Sequence, residues 1–279
     1  MTGRRSLRLV REGFPQRPAY DTAISRALML RVAAGEEPET FRLHRPGATL
    51  AFGRQDAREP GYPEAVGVAI AAGFTAVQRL AGGRAAVFHP DTVAFSHEIP
   101  DPAPRRGIRE RFSYIADLMC ASLRRLGVDA HVGEVAGEYC AGAYSVNARS
   151  ARKIVGVGQR LVPGAAHLGG VVVAAGSDPV RRVLVPVYSA LEIPWDPGTV
   201  GSVEDEIGPV SADAVADVII DELSVRYELF EGHLSGDVLE LAEALEKDHI
   251  ASPASRQLDE RPPYDRGRPA PEAGARDRV

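Results

Sequence analysis

A chain of 279 residues, 44% of them hydrophobic, can bury a sizeable core without disulfide or metal staples. Two cysteines make no disulfide framework, the basic start MTGRRSLRLVREGFP lacks a signal peptide's apolar run, and no stretch nears the roughly 20 apolar residues of a membrane span. The expectation is a cytoplasmic, soluble protein with no membrane contact, and a net charge of -5 removes the bulk electrostatic reason to expect nucleic acid, although RRGIRERF is locally basic.

Asp21 opens DTAISRALMLRVAAG, where Ile24, Leu28, Leu30 and Val32 form a helical stripe and Gly35 sits at the C-terminal cap. TFRLHRP and ATLAFGR alternate as two strands around Pro46-Gly47; a short helix within YPEAVGVAIAAG and a strand at TAVQRL follow. Beyond the turn at Ala81-Gly82-Gly83, AAVFH and TVAFSHEI read as a hairpin. Ile108, Phe112, Ile115, Met119 and Leu126 then share one helix face, and the helix stops at Gly127. YSVNA, KIVGVGQRLV and HLGGVVVAA are three further strands. Two helices, Ser211 to Phe230 and Ser235 to Ile250, have acidic first turns or caps. The pattern predicts an α+β fold, a mostly antiparallel β-sheet flanked by helices with a C-terminal helical appendage. Residues 1–200 would form the main domain and 201–251 the appendage. Residues 252–279, rich in proline, arginine and acids, would form a disordered tail.

Three features carry candidate chemistry. Lys153 begins an apolar strand whose Gly156 and Gly158 open one face; it is either an aggregation-blocking edge lysine or a group that meets a ligand carbonyl or phosphate. Cys140 reads as a loop thiol before a strand, a nucleophile if a cation lies near and core packing otherwise. Cys120, on the flank of a helix face, is assigned to packing. The turn QRLAGGRAAVFH, bracketed by Arg79 and Arg84, suits an anion or oxyanion site. The seven histidines show no metal-site spacing, and neither a phosphate loop nor a dinucleotide fingerprint occurs.

Four segments in order carry a family resemblance. AFGRQ resembles a "GR.Q" strand end, and QRLAGGRAAVFHPDTVAFS resembles "RR.(S/T)GG(G/R)AV.H....(Y/F)S". RKIVGVGQR resembles "(R)K(I/V)(S/A)G.(A)QR", and AAHLGGVVV the "(H)G" strand that follows. Together they resemble the lipoate-protein ligase, octanoyltransferase and biotin-ligase catalytic-domain superfamily over about Tyr20 to Ala175. CAGAYSV stands where cysteine-type octanoyl and lipoyl transferases carry "CPG.(Y/F)(D)(L)", whereas ATP-dependent ligases carry Asn-Asp. Ala141 replaces the proline and Ser145 the aspartate, the Ala85-Ala86 pair lengthens the loop by one residue, and His89-Pro90-Asp91 departs from either transferase pattern.

The resemblance implies that Cys140 accepts the acyl group and that Lys153 is the lysine of the active centre. Arg79, Gly82, Gly83, Arg84, Ala85, His89, Gly156, Gln159 and His167 would bind substrate. It implies transfer of an octanoyl or lipoyl group through a Cys140 thioester to the lysine of a lipoyl domain, with no cofactor. Lys153 and loop amides would stabilise the oxyanion, a deprotonated Lys153 would serve as base, and Val87, Phe95 and Val155 would line the acyl tunnel. Implied partners are lipoyl-domain proteins such as the glycine cleavage H protein and 2-oxoacid dehydrogenase E2 subunits, and acyl carrier protein. The alternatives are an ATP- and Mg²⁺-dependent lipoate ligase forming lipoyl-AMP and a non-catalytic lipoyl-domain binding module.

Overall fold

A computed structural model describes residues 4–253. In chain order the elements are β1 (Ser6–Val10), α1 (Pro18–Ala33), β2 (Thr40–His44), β3 (Thr49–Phe52), α2 (Tyr62–Ala71), β4 (Thr75–Gln78), β5 (Ala86–Phe88), β6 (Thr92–Asp101) and α3 (Ile108–Arg125). β7 (Ala130–Val132), β8 (Val146–Ala148), β9 (Arg152–Val162), β10 (Gly164–Val173), α4 (Ser177–Ala190), α5 (Val203–Ile207), α6 (Ala212–Arg226), β11 (Glu228–Glu231) and α7 (Gly236–Leu245) follow. An eight-stranded sheet runs β11-β1-β2-β6-β10-β9-β8-β7, and a three-stranded sheet runs β4-β3-β5. The large sheet is parallel only along β11-β1-β2, so the mostly antiparallel architecture flanked by helices is as expected.

Burial follows the two periodicities of the sequence. Val93 and Phe95 on β6 and Leu168 and Val172 on β10 face α3 and α6, which contribute Ile115, Met119, Val215 and Ile219 to the largest core. Cys120 belongs to that core, 3% exposed, as its helical setting predicts. A second core joins the small sheet to α2 and α4 through Leu50, Phe52, Val66 and Leu184.

The expected hairpin between AAVFH and TVAFSHEI does not form. β5 pairs with β3 in the small sheet, whereas β6 pairs with β2 and β10 in the large one. The turn is real: Thr92 N–H donates to His89 O at 2.9 Å. The strands diverge because Val87 finds its apolar partners in the second core and Val93 in the first.

The C-terminal helices are present and joined to the sheet. The first ends at Arg226 rather than Phe230, because residues 228–231 become β11 and pair with β1. α7 packs on α1 through Val238 and Ala242. The tail expected from residue 252 lies, from residue 254 on, outside the described residues.

Two buried histidines give a pH prediction. Burial, with the Arg42 guanidinium alongside, pushes His44 down to about 3 against the pull of Asp21. Burial likewise pushes His249, which meets Gln78 O at 2.8 Å, down to about 4. Both lie below the ordinary 6.5, so the unfolded chain binds protons that the folded chain refuses. This contribution to stability is fully present above about pH 6.5 and lost as the pH falls toward about 4. The urea midpoint should therefore drop over that interval, and drop less in His249→Gln. Parallel curves for the two proteins would contradict a neutral His249.

Candidate functional site

Residues 133–145, between β7 and β8, are the loop expected around Cys140. Cys140 adopts φ 44°, a left-handed conformation that a non-glycine residue holds only when its surroundings impose it. Here they do. The Cys140 N–H donates to the Tyr188 hydroxyl at 2.9 Å, and Lys153 Nζ donates to Cys140 O at 2.7 Å. The thiol then faces the glycine turn, where the Arg84 N–H lies 3.2 Å and Arg79 Nη1 3.7 Å from Sγ. One backbone donor and one guanidinium thus lie against the sulfur of a half-buried cysteine, which also packs on the edge of the second core.

Gly83 makes this approach possible. It sits at φ 112°, and a Cβ there would lie 2.9 Å from Cys140 Sγ and 3.0 Å from Arg79 Nη1. Gly158 does the same from β9, where a Cβ would lie 2.9 Å from that of Ala81 and 3.0 Å from Gly82 O. Gly83→Ala is expected to cost about 1–3 kcal/mol through the strained φ and to slow alkylation of Cys140 by moving the turn off the thiol. Wild-type alkylation kinetics in that variant would contradict the close packing of turn and thiol.

Lys153 is 1% exposed and lies inside the large sheet, paired with β8 on one side and bridged to Val200 on the other, so it is no edge lysine. Its Nζ donates to Glu138 Oε1 at 3.1 Å, Tyr139 O at 3.1 Å and Cys140 O at 2.7 Å. An ammonium has three protons to give and all three are given. These contacts tie Lys153 to the loop that carries Cys140.

A cavity of about 390 Å³ opens beside these groups, within the roughly 300–1,000 Å³ of small-molecule sites. Cys140, Lys153, Arg79, Gly82 and Gly83 form its polar end, while Phe88, Ile108, Phe112, Val157, Leu161 and Val171 supply an apolar wall. Phe112 stacks on Tyr144 at 4.9 Å, joining α3 to the loop that carries Cys140. The tunnel residues expected from the sequence are mostly misplaced by one position: Val87 and Val155 face the cores, and their neighbours Ala86, Phe88 and Gly156 line the cavity. Phe95 lines a second space, of about 100 Å³, which shares Arg79, Phe88 and Gly170 with the first. Arg105, Arg106 and Arg109 stand exposed around cavity-lining Ile108 and make no ion pair among the described residues.

The remaining expected site residues divide. Gly156 and Gln159 line the large cavity, and Gln159 Oε1 accepts from Arg111 Nη2 at 3.2 Å. Arg84 contributes its amide, while its guanidinium turns away to Glu59 at 2.6 Å and the fully buried Asp56 at 3.4 Å. Ala85 is buried and offers its carbonyl to the Tyr188 hydroxyl at 3.0 Å. His167 lines the smaller space and meets Glu98 Oε1 at 2.9 Å. His89 lines neither; it is buried in the turn before β6, where Asp91 N–H donates to its Nδ1 at 3.2 Å. Burial pushes its imidazole down. Among the described residues, no group of three or more His, Cys, Asp or Glu is placed to hold a metal ion.

Glu138, Tyr139 and Tyr188 stand beside Cys140 and Lys153 with no motif in the sequence to mark them. Tyr139 lies with its ring 5.0 Å from Lys153 Nζ. Tyr188 comes from α4, whose stripe Val180, Val183, Leu184, Val187 and Tyr188 was legible but interrupted by Pro186. Glu138 shows no signal beyond its place two residues before the cysteine.

Comparison with known proteins identifies a family and a fold. The family model for the lipoyl protein ligase A/B catalytic domain matches residues 17–224. An octanoyltransferase LipM from Kyrpidia tusciae is 30% identical over 118 residues, 40% of this chain and 41% of that protein. An octanoyl-[GcvH]:protein N-octanoyltransferase from Exiguobacterium sp. is 28% identical over 172 residues, 57% of this chain and 60% of that one. The chain thus spans about two-fifths to three-fifths of the length of these curated relatives. The crystal structure of lipoate-protein ligase A bound with ATP superposes with a TM-score of 0.67 over 88% of this chain and 95% of that one, at 21% identity, a likeness of fold.

Proposed function

The chain belongs to the lipoyl protein ligase A/B catalytic domain family, and on that premise we propose that it moves an octanoyl or lipoyl group from a carrier protein to the lysine of a lipoyl domain through a thioester on Cys140. The observation that carries this reading is the Cys140 sulfur held 3.2 Å from the Arg84 amide at the polar end of a cavity with an apolar wall. The names of the two curated relatives, both octanoyltransferases, point the same way.

The chemistry needs neither nucleotide nor metal. The Cys140 sulfur attacks the acyl carbonyl carbon, the bond from that carbon to the carrier's nitrogen or sulfur breaks, and the departing group takes up the proton that the thiol gives up, directly or through solvent. Donors at the glycine turn and Arg79 hold the negative oxygen of the tetrahedral intermediate, while the apolar wall takes the eight-carbon chain. The neutral lysine amine of the acceptor then attacks the thioester carbonyl, the carbon–sulfur bond breaks, and the amine proton leaves to solvent or to the cysteine sulfur. Lys153 keeps the loop in place through its contacts with Glu138, Tyr139 O and Cys140 O. The setting is cytoplasmic, and the carriers are lipoyl-domain proteins such as glycine cleavage H protein or E2 subunits, or acyl carrier protein as donor.

The test is transfer without ATP. The protein is incubated with octanoylated H protein and an unmodified lipoyl domain, and the lipoyl domain is weighed. A gain of one octanoyl group in the absence of nucleotide is expected. Acylation only from free lipoate with ATP and Mg²⁺ would make the protein a ligase instead.

A further inference from the structure

We propose that Glu138 is the positioning residue of the nucleophile loop, its buried carboxylate replacing the acid that the "CPG.(Y/F)(D)(L)" pattern has at position 145. The inference rests on the transfer reading above. Glu138 is 4% exposed. Its Oε1 accepts from Lys153 Nζ at 3.1 Å, the Ser145 hydroxyl at 2.5 Å and the Gly142 N–H at 3.1 Å, and its Oε2 from the Val135 N–H at 3.2 Å. These donors come from the loop before it, the loop after it and β9, so one side chain ties three stretches of chain together.

What they enclose is the Tyr139-Cys140 dipeptide. Lys153 needs a counter-ion to remain in so dry a place, and Glu138 supplies it. So anchored, Lys153 grips both Tyr139 O and Cys140 O, while Tyr188 takes the Cys140 N–H. With the peptide groups on both sides of its Cα held, Cys140 is kept left-handed and its sulfur is aimed at the Arg84 amide. Without the carboxylate, Lys153 loses its counter-ion, Ser145 and Gly142 lose an acceptor, and only the Tyr188 hydroxyl is left to oppose relaxation of the strained φ.

Position 145 explains why the acid sits where it does. The Ser145 hydroxyl touches the same Glu138 oxygen that Lys153 reaches. A carboxylate on residue 145 would therefore fall within reach of Lys153 itself. Two buried carboxylates so close would repel, so one acid suffices, and a serine at 145 accompanies a glutamate at 138.

The prediction is a rescue. Cys140 alkylation by iodoacetamide and octanoyl uptake from octanoylated H protein are measured for wild type, Glu138→Ala and Glu138→Ala/Ser145→Asp, with thermal unfolding beside them. Glu138→Ala should slow both reactions about 100-fold through misplacement of the thiol, and the second substitution should recover most of that loss. A Glu138→Ala protein reacting at the wild-type rate overturns the proposal, as does a double variant that regains stability but not rate. If Glu138→Ala does not fold, the double variant decides alone: folding and reacting supports the role, and failing in either overturns it. A wild type that is alkylated but takes no octanoyl group sinks the transfer reading, and Glu138 is then judged on alkylation alone.

Discussion

Cys140→Ala is expected to reduce acyl transfer by at least about 1,000-fold while leaving the thermal midpoint nearly unchanged. The reason lies in the surroundings of the sulfur. Cys140 lines the cavity wall and is half-buried, so removing its sulfur leaves little unfilled space, but it removes the atom proposed to take the acyl group. Cys120→Ala should behave in the opposite sense. That thiol is 3% exposed in the main core and donates to Ala130 O at 3.2 Å, so its loss should cost about 1–3 kcal/mol of stability and leave transfer intact. Thermal unfolding and a transfer assay on both variants separate the two roles. Retained transfer in Cys140→Ala would mean that the acyl group never rests on this residue.

Lys153→Met should damage stability and transfer together. It removes the ammonium and strands a buried Glu138 carboxylate, for which about 3–5 kcal/mol is the usual cost. At about 2–4 °C per kcal/mol for a domain of this size, the thermal midpoint should fall by roughly 6–20 °C. Lys153→Arg should rescue little, because a planar fork cannot reproduce three donors converging on Glu138, Tyr139 O and Cys140 O. Adding Glu138→Gln to Lys153→Met should return part of the stability, since the stranded charge disappears, and none of the transfer. A double variant as unstable as the sum of its parts would mean that the pair is not coupled.

The sequence made much of this site legible, unevenly. Cys140, Lys153 and the Gly82-Gly83 turn were visible because a loop thiol, a lysine in an apolar strand and paired glycines are each odd in their setting. α3 and the β9-β10 pair were visible by periodicity. Which strands pair was not: turn chemistry at 89–92 shows where the chain bends, not that β5 and β6 leave in different sheets. Phe230 looked like the end of a helix because helical spacing continues past Arg226, and only the free edge of β1 makes residues 228–231 a strand. Glu138 was out of reach for a similar reason. An acid in a loop is ordinarily solvated, and its burial follows from a fold that brings Val135, Ser145 and Lys153 to one point. Tyr188 lies 48 residues from the cysteine it holds.

The mass of the intact protein shows whether a thioester forms on Cys140. Wild type and Cys140→Ser are incubated with octanoylated H protein or octanoyl-acyl carrier protein without ATP and weighed before and after hydroxylamine. One octanoyl group, removed by hydroxylamine, is expected on the wild type, and no such labile group on Cys140→Ser. A wild type left unmodified by either carrier, together with lipoyl-domain acylation that requires ATP and free lipoate, would contradict the thioester.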